Sequence, residues 1–172
     1  RLNGLAGLPV ERLCQIDGIG PGKAVTVAAA FELGRRWAAE SITDSRTAVS
    51  SPKTIFRMML PILRGLDHEE CWVIFLNRAN YIIGKERISI GGIDSTILDS
   101  RTIARKAIEK QASGVILVHN HPSGSAQPGT ADINATRQLD KALKTCEISL
   151  IDHVVIAEDS YYSFADEELV EA

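Results

Sequence analysis

The chain has 172 residues, 45% of them hydrophobic and 24% charged, enough for one full hydrophobic core with material for a small second one. No apolar run approaches the roughly 20 residues of a membrane span and Arg1-Leu2-Asn3-Gly4 does not begin a secretory signal, so no membrane partner is expected and the chain reads as cytoplasmic. The formal net charge of -3 excludes a global attraction for nucleic acid.

Cys14, Cys71 and Cys146 are odd in number, far apart and free of CxxC spacing. That argues against a disulfide framework and a thiolate zinc cage, and predicts buried free thiols. Because it starts at Arg1 within a helical pattern, the sequence reads as part of a longer protein.

Pro9 to Ile16 predicts a short helix with proline in its first turn. Gly22 to Ala39 predicts a longer one, with Val25, Ala28, Ala29 and Leu33 at helical spacing. Between them, Gly18-Ile19-Gly20-Pro21-Gly22 reads in two ways. It is an inter-helix turn whose glycines supply positive φ while Ile19 plugs the core, or a set of backbone N–H groups at a helix start that suits a DNA phosphate. Five basic against four acidic groups in residues 1–40 leave a balance of +1, so such binding would be weak, sequence-indifferent and salt-sensitive. About 40 residues is marginal for an independent core, and the helical pair is expected to pack on another element. Residues 41–52, rich in Ser and Thr and ending at Pro52, carry a linker signature. The expected units are 1–40, 41–52 and 53–172.

Beyond the linker, Lys53 to Leu66 predicts a helix bent at Pro61. Cys71 to Leu76 and Tyr81 to Ser89 predict an antiparallel hairpin turning through Asn77-Arg-Ala-Asn80. An amphipathic helix follows from Ser100 to Ala112, then a buried strand from Gly114 to Val118 running into His119. The remaining elements are a helix from Thr130 to Thr145 and strands at Ser149 to Ala157 and Tyr161 to Phe164. Helices interspersed with strands that include a hairpin predict an α/β fold, a mixed sheet in three layers.

Residues two apart on a strand share a face, so His119 and His121 can aim at one point. A helix starting near Thr130 places Asp132 in its first turn, beside the loop that carries His121. An HxH pair alone is more often surface or satisfied core histidine. The third ligand and the strand-to-loop-to-helix setting make metal binding the favoured reading. Three protein ligands leave zinc an open position, the mark of a catalytic site. His68, between Asp67 and Glu69, reads as a surface residue, and His153 as a hydrogen-bonded structural one.

The HxHP pair with Asp132 after an apolar strand resembles the JAMM signature of the JAB/MPN metalloprotease superfamily. His119-Asn-His-Pro-Ser-Gly124, with Ser51-Pro52, Asp152-His153 and Tyr161-Tyr-Ser-Phe-Ala-Asp166, narrows the resemblance to the bacterial RadC family, historically named for DNA repair. Gly18-Ile-Gly-Pro-Gly-Lys-Ala24 and Glu32-Leu-Gly-Arg-Arg36 are similar to that family's helix-hairpin-helix module. The resemblance implies a three-layer, cytidine deaminase-like fold, with Zn2+ held by His119, His121 and Asp132. It implies Glu86, on a strand upstream of the histidines, as the general base that moves a proton from zinc-activated water to the leaving amine of a peptide or isopeptide bond in a protein substrate. It also implies DNA contact at Gly18, Gly20, Gly22 and Lys23, within residues 17–24. The sequence departs from the pattern at Gly129, where JAMM enzymes carry a serine whose hydroxyl helps stabilise the oxyanion. Losing one such donor costs about 10^2 to 10^3 in rate. A zinc-dependent hydrolase is the leading expectation. A non-catalytic, metal-stabilised DNA- or protein-binding module and a factor acting on phosphodiesters are the alternatives.

Overall fold

Three helices start on or just after proline, whose missing N–H is one that a helix start leaves unpaired. They are α1 (Val10–Leu13) behind Pro9, α2 (Pro21–Ser41) and α3 (Pro52–Leu63). The computed structural model describes residues 5, 7–41, 48–91 and 99–167. Half of the expected linker, residues 42–47, lies outside them. Leu13 and Ala24 are buried where α1 meets α2, and α2 in turn packs against α3. The helical pair thus leans on a neighbour, as its small size requires. The helix expected to reach Leu66 stops at Leu63, because Arg64 is extended and Gly65 takes a left-handed φ of 78°.

The sheet contains β1 (Glu70–Leu76), β2 (Ile82–Ile90), β3 (Gly114–Asn120), β4 (Ser149–Ile156) and β5 (Tyr161–Ser163), in the order β2-β1-β3-β4-β5. Only β3 and β4 run parallel, and a parallel pair needs a crossover. Helix α5 (Thr130–Lys144) supplies it, while α4 (Ser100–Glu109) leads into β3. On one face Ile103 and Ala107 of α4 and Leu139 and Leu143 of α5 pack on Val73, Phe75, Val115 and Leu117. On the other, Ile55, Met58, Met59 and Ile62 of α3 cover Ile74, Ile116, Val118 and Val154. The expected three layers are therefore present.

Every residue of β3 is buried, as a central strand covered on both faces must be. Each fully buried aliphatic side chain contributes about 1.5–3 kcal/mol, so the strand that carries His119 is among the best anchored parts of the molecule. Of the three free cysteines only Cys71 is buried; Cys14 is half-buried and Cys146 exposed. Among the described residues no helix is long and apolar enough to cross a membrane.

Candidate metal centre

His119 occupies the carboxyl end of β3, and Asp132 the first turn of α5, so both lie where the parallel β3–β4 pair opens. Crevices beyond the carboxyl ends of parallel strands are the usual ligand sites of α/β sheets. The connecting loop is tightly specified. His121 N donates to Ile156 O (2.8 Å), its Nδ1 donates to Ser125 O (2.8 Å), and Gly124 turns the chain at a φ of 86°, a conformation that favours glycine. Asn120, between the histidines, accepts from Glu70 N (2.7 Å) and donates to His68 O (2.9 Å), tying the loop to the start of β1. Asp132 Oδ2 accepts from Gly129 N (2.7 Å), which caps α5 and fixes the carboxylate rotamer.

These constraints bring three ligand atoms together. His119 Nε2 lies 2.9 Å from His121 Nε2 and 3.4 Å from Asp132 Oδ1, and His121 Nε2 lies 3.5 Å from Asp132 Oδ2. Ligands at 2.0–2.1 Å around a tetrahedral zinc ion sit about 3.3 Å apart, so the group has the dimensions of a three-ligand site, and two imidazoles with one carboxylate suit that ion. His119 and Asp132 are buried and His121 is half-buried. The cluster is closed behind and open in front.

Burial pushes His119 down to about 4, against the pull of Asp132, while the hydrogen bond from His121 helps hold Asp132 at about 2 in spite of its burial. His121 is raised, first by Asp132 and also by the charge of Glu69. Near neutral pH, His119 is therefore a neutral lone-pair donor and Asp132 an anion. Cys71, paired with His119 across β1 and β3, is pushed up to about 12 by burial and by the charge of Asp132, and stays a thiol in the metal-free protein.

The buried histidines carry a pH signature. Below the ordinary value of 6.5, the unfolded chain takes up protons that folded His119, at about 4, refuses. Stability present above pH 6.5 is therefore lost as pH falls towards 4, by about 3 kcal/mol from this group alone. His153, also lowered by burial, acts in the same direction, and His121, raised, in the opposite one. The melting temperature of metal-free protein is expected to fall steadily between pH 6.5 and 4, and a flat profile over that window would contradict a buried neutral His119.

The structure does not bring Glu86 to this group. Glu86 pairs with Val73, which pairs with Leu117, so it stands two strands across from β3 and two residues short of His119. Strand geometry puts its backbone about 12 Å from that of His119. Its carboxylate is bound by Lys106 and by Lys110 (2.7 Å) of α4, and these ammonium groups lower its pKa. The carboxylate that does face the group is Glu69, half-buried just before β1. A cleft of about 290 Å3 is lined by Glu69 together with His121, Asp132, Ser123, Ser125 and Gly129. The signal was available in the strand register. Cys71 pairs with His119, and two residues earlier in an antiparallel partner is Glu69, on the same face and level with His121.

Gly18 and Gly20 lie in the turn between α1 and α2, Gly22 and Lys23 lie in the first turn of α2, and none of the four lines this cleft. All four are exposed, Gly18 has a φ of 82°, and Lys23 Nζ donates to Gly18 O (3.0 Å). Ile19 is half-buried, a partial version of the expected plug.

A mixed sheet between helical layers, with a His-His-Asp group that could hold a metal at the open end of its parallel strands, defines a JAB-type domain. The chain belongs to the RadC-like JAB domain family, which matches residues 49–169. Related chains carry the name UPF0758 protein. The one from Flavobacterium johnsoniae is 45% identical over 166 residues, covering 96% of this chain and 72% of the relative. The one from Porphyromonas gingivalis is 45% identical over 160 residues, covering 89% and 67%. That from the archaeon Methanosarcina mazei is 35% identical over 161 residues, covering 94% and 70%.

Proposed function

We propose that this chain is a zinc-dependent hydrolase of peptide or isopeptide bonds, with His119, His121 and Asp132 as metal ligands and Glu69 as general base. One observation carries the reading: a free carboxylate, Glu69, shares an open cleft with the three converging ligands. Zinc held there would polarise a substrate carbonyl and acidify a water. Glu69 takes the proton from that water and delivers it to the departing amine, the two halves of general acid–base catalysis by one group. Asp132 stays anionic throughout, fixed by the backbone of Gly129. Hydrolysis of a panel of fluorogenic peptides and isopeptide-linked conjugates by zinc-loaded protein tests the reading. Turnover should vanish on chelation and return with zinc, and activity indifferent to chelation would sink it.

At Gly129 the backbone N–H is spent on Asp132 and the residue itself carries no hydroxyl. The position nevertheless has room for one. Its φ of -81° suits any residue, and an added Cβ meets nothing nearer than Asp132 Oδ2 at 3.7 Å. Gly129→Ser is expected to raise kcat about 10-fold or more by supplying the oxyanion donor, with stability changed by less than about 0.5 kcal/mol. An unchanged kcat would mean that Ser123, Ser125 or the backbone already fills that role.

The exposed glycine turn favours a second, separate activity, contact with a DNA backbone through residues 17–24. Such binding should weaken steeply with salt, and Lys23→Ala should lower the salt slope by about 1. Binding that ignores both would remove the assignment.

A further inference from the structure

His119 has two ring nitrogens, and the metal reading uses only one. While Nε2 faces His121 and Asp132, Nδ1 lies 2.7 Å from His153 Nε2. His153 sits fully buried on β4, stacked on Phe164 with centroids 4.7 Å apart and planes 14° from parallel. Its Nδ1 lies 2.6 Å from Thr136 Oγ1 on α5, and that hydroxyl donates to the main-chain carbonyl of Asp132, also at 2.6 Å. A closed chain thus runs from one ligand, through two buried side chains, back to another.

The proton positions along it follow from donor counting. Thr136 has one hydroxyl proton, and it lies on the Asp132 carbonyl, so towards His153 the oxygen accepts and His153 Nδ1 carries the hydrogen. The His153 ring meets His119, Thr136 and Phe164 and no carboxylate among the described residues, so a charge on it would be buried without a partner; it is neutral, and its Nε2 is a bare lone pair. His119 must then donate from Nδ1, and its Nε2 lone pair points into the cluster. Reversing every proton would leave the Thr136 and Asp132 oxygens 2.6 Å apart with nothing between them. It would also put a hydrogen on His119 Nε2, where a cation could not bind.

We propose that Thr136 and His153 are positioning residues that lock His119 in the Nδ1–H tautomer and so hold its Nε2 lone pair ready for a metal ion. The inference rests on the reading of His119 as a ligand. It goes beyond that reading by giving two residues outside the cleft a defined task, one usual for the outer shell of metal-bound histidines.

The test reads tautomers and metal affinity, not turnover. In metal-free protein labelled with 15N-histidine, two-bond proton–nitrogen correlations should show wild-type His119 protonated on Nδ1. Competition against a chromogenic chelator gives zinc affinity. Thr136→Val, near in shape but without the hydroxyl, should let the chain invert, populate His119 Nε2–H and weaken zinc by about 10- to 100-fold. Thr136→Ser should restore both readings. His153→Phe should weaken zinc similarly, whereas His153→Gln, whose amide oxygen can still accept from Nδ1–H, should retain most of the affinity. That pair makes the comparison if Thr136→Val does not fold. Wild-type affinity and tautomer in both Thr136→Val and His153→Phe would overturn the inference while leaving the ligand assignment standing. A wild-type protein that binds no zinc would remove both, and His119 protonated on Nε2 in the wild type would overturn the inference by itself.

Discussion

His119→Ala and Asp132→Asn proteins are expected to bind zinc at least about a hundredfold more weakly than wild type, beyond the 10- to 100-fold cost of losing an outer-shell partner. Plasma mass spectrometry after dialysis against equimolar zinc should find one equivalent in wild type and a small fraction in the variants. Asparagine is the better probe at position 132. Its amide oxygen can still accept from Gly129 N, the bond that caps α5, whereas alanine would also cost about 1 kcal/mol through the lost cap. His119→Ala should additionally reduce the loss of melting temperature between pH 6.5 and 4, since one of the two buried imidazoles responsible for it is gone. Full zinc occupancy in both variants would place the metal elsewhere.

Glu69→Gln should lower kcat by about 10^2 to 10^4, the usual contribution of a positioned general base, with zinc content unchanged because Glu69 is not among the ligands. Glu86→Gln is the matched control. Its carboxylate pairs with Lys106 and Lys110 at a part-exposed surface, so removing its charge should cost less than about 1 kcal/mol and change kcat less than about twofold. The opposite pattern, a silent Glu69→Gln and an inactive Glu86→Gln, would return the role of base to Glu86.

Periodicity made most of this fold legible. The helix carrying Ile103, Ala104 and Ala107, the all-apolar Val115 to Val118 run and the hairpin around Asn77 to Asn80 occupy the places their patterns predict, because hydrophobic period and turn chemistry are local properties. The convergence of His119, His121 and Asp132 was equally readable, since strand alternation and a helix start lie within fourteen residues of one another, from His119 to Asp132. Glu69 and Glu86 could not be told apart in that way. Glu69 precedes a strand and Glu86 lies inside one, and what separates them is the register of β2 on β1 and of β1 on β3, long-range pairings that no local pattern states. The same limit hid the role of Thr136. It lies on the core-facing side of α5, one turn beyond Asp132, and becomes informative only when β4 brings His153 against it. The family resemblance implied zinc chemistry with Glu86 as base, whereas the structure leaves Glu86 two strands from β3; a glutamate upstream of the histidines describes Glu69 as well.

The most direct test of the central claim is zinc-edge X-ray absorption on wild-type protein carrying one equivalent of metal. A first shell of nitrogen and oxygen at about 2.0–2.1 Å is expected, with outer-shell scattering from two imidazoles and no sulfur. A zinc–sulfur distance of about 2.3 Å, which would draw in Cys71 beside His119, or a shell with fewer than two imidazoles, would contradict it.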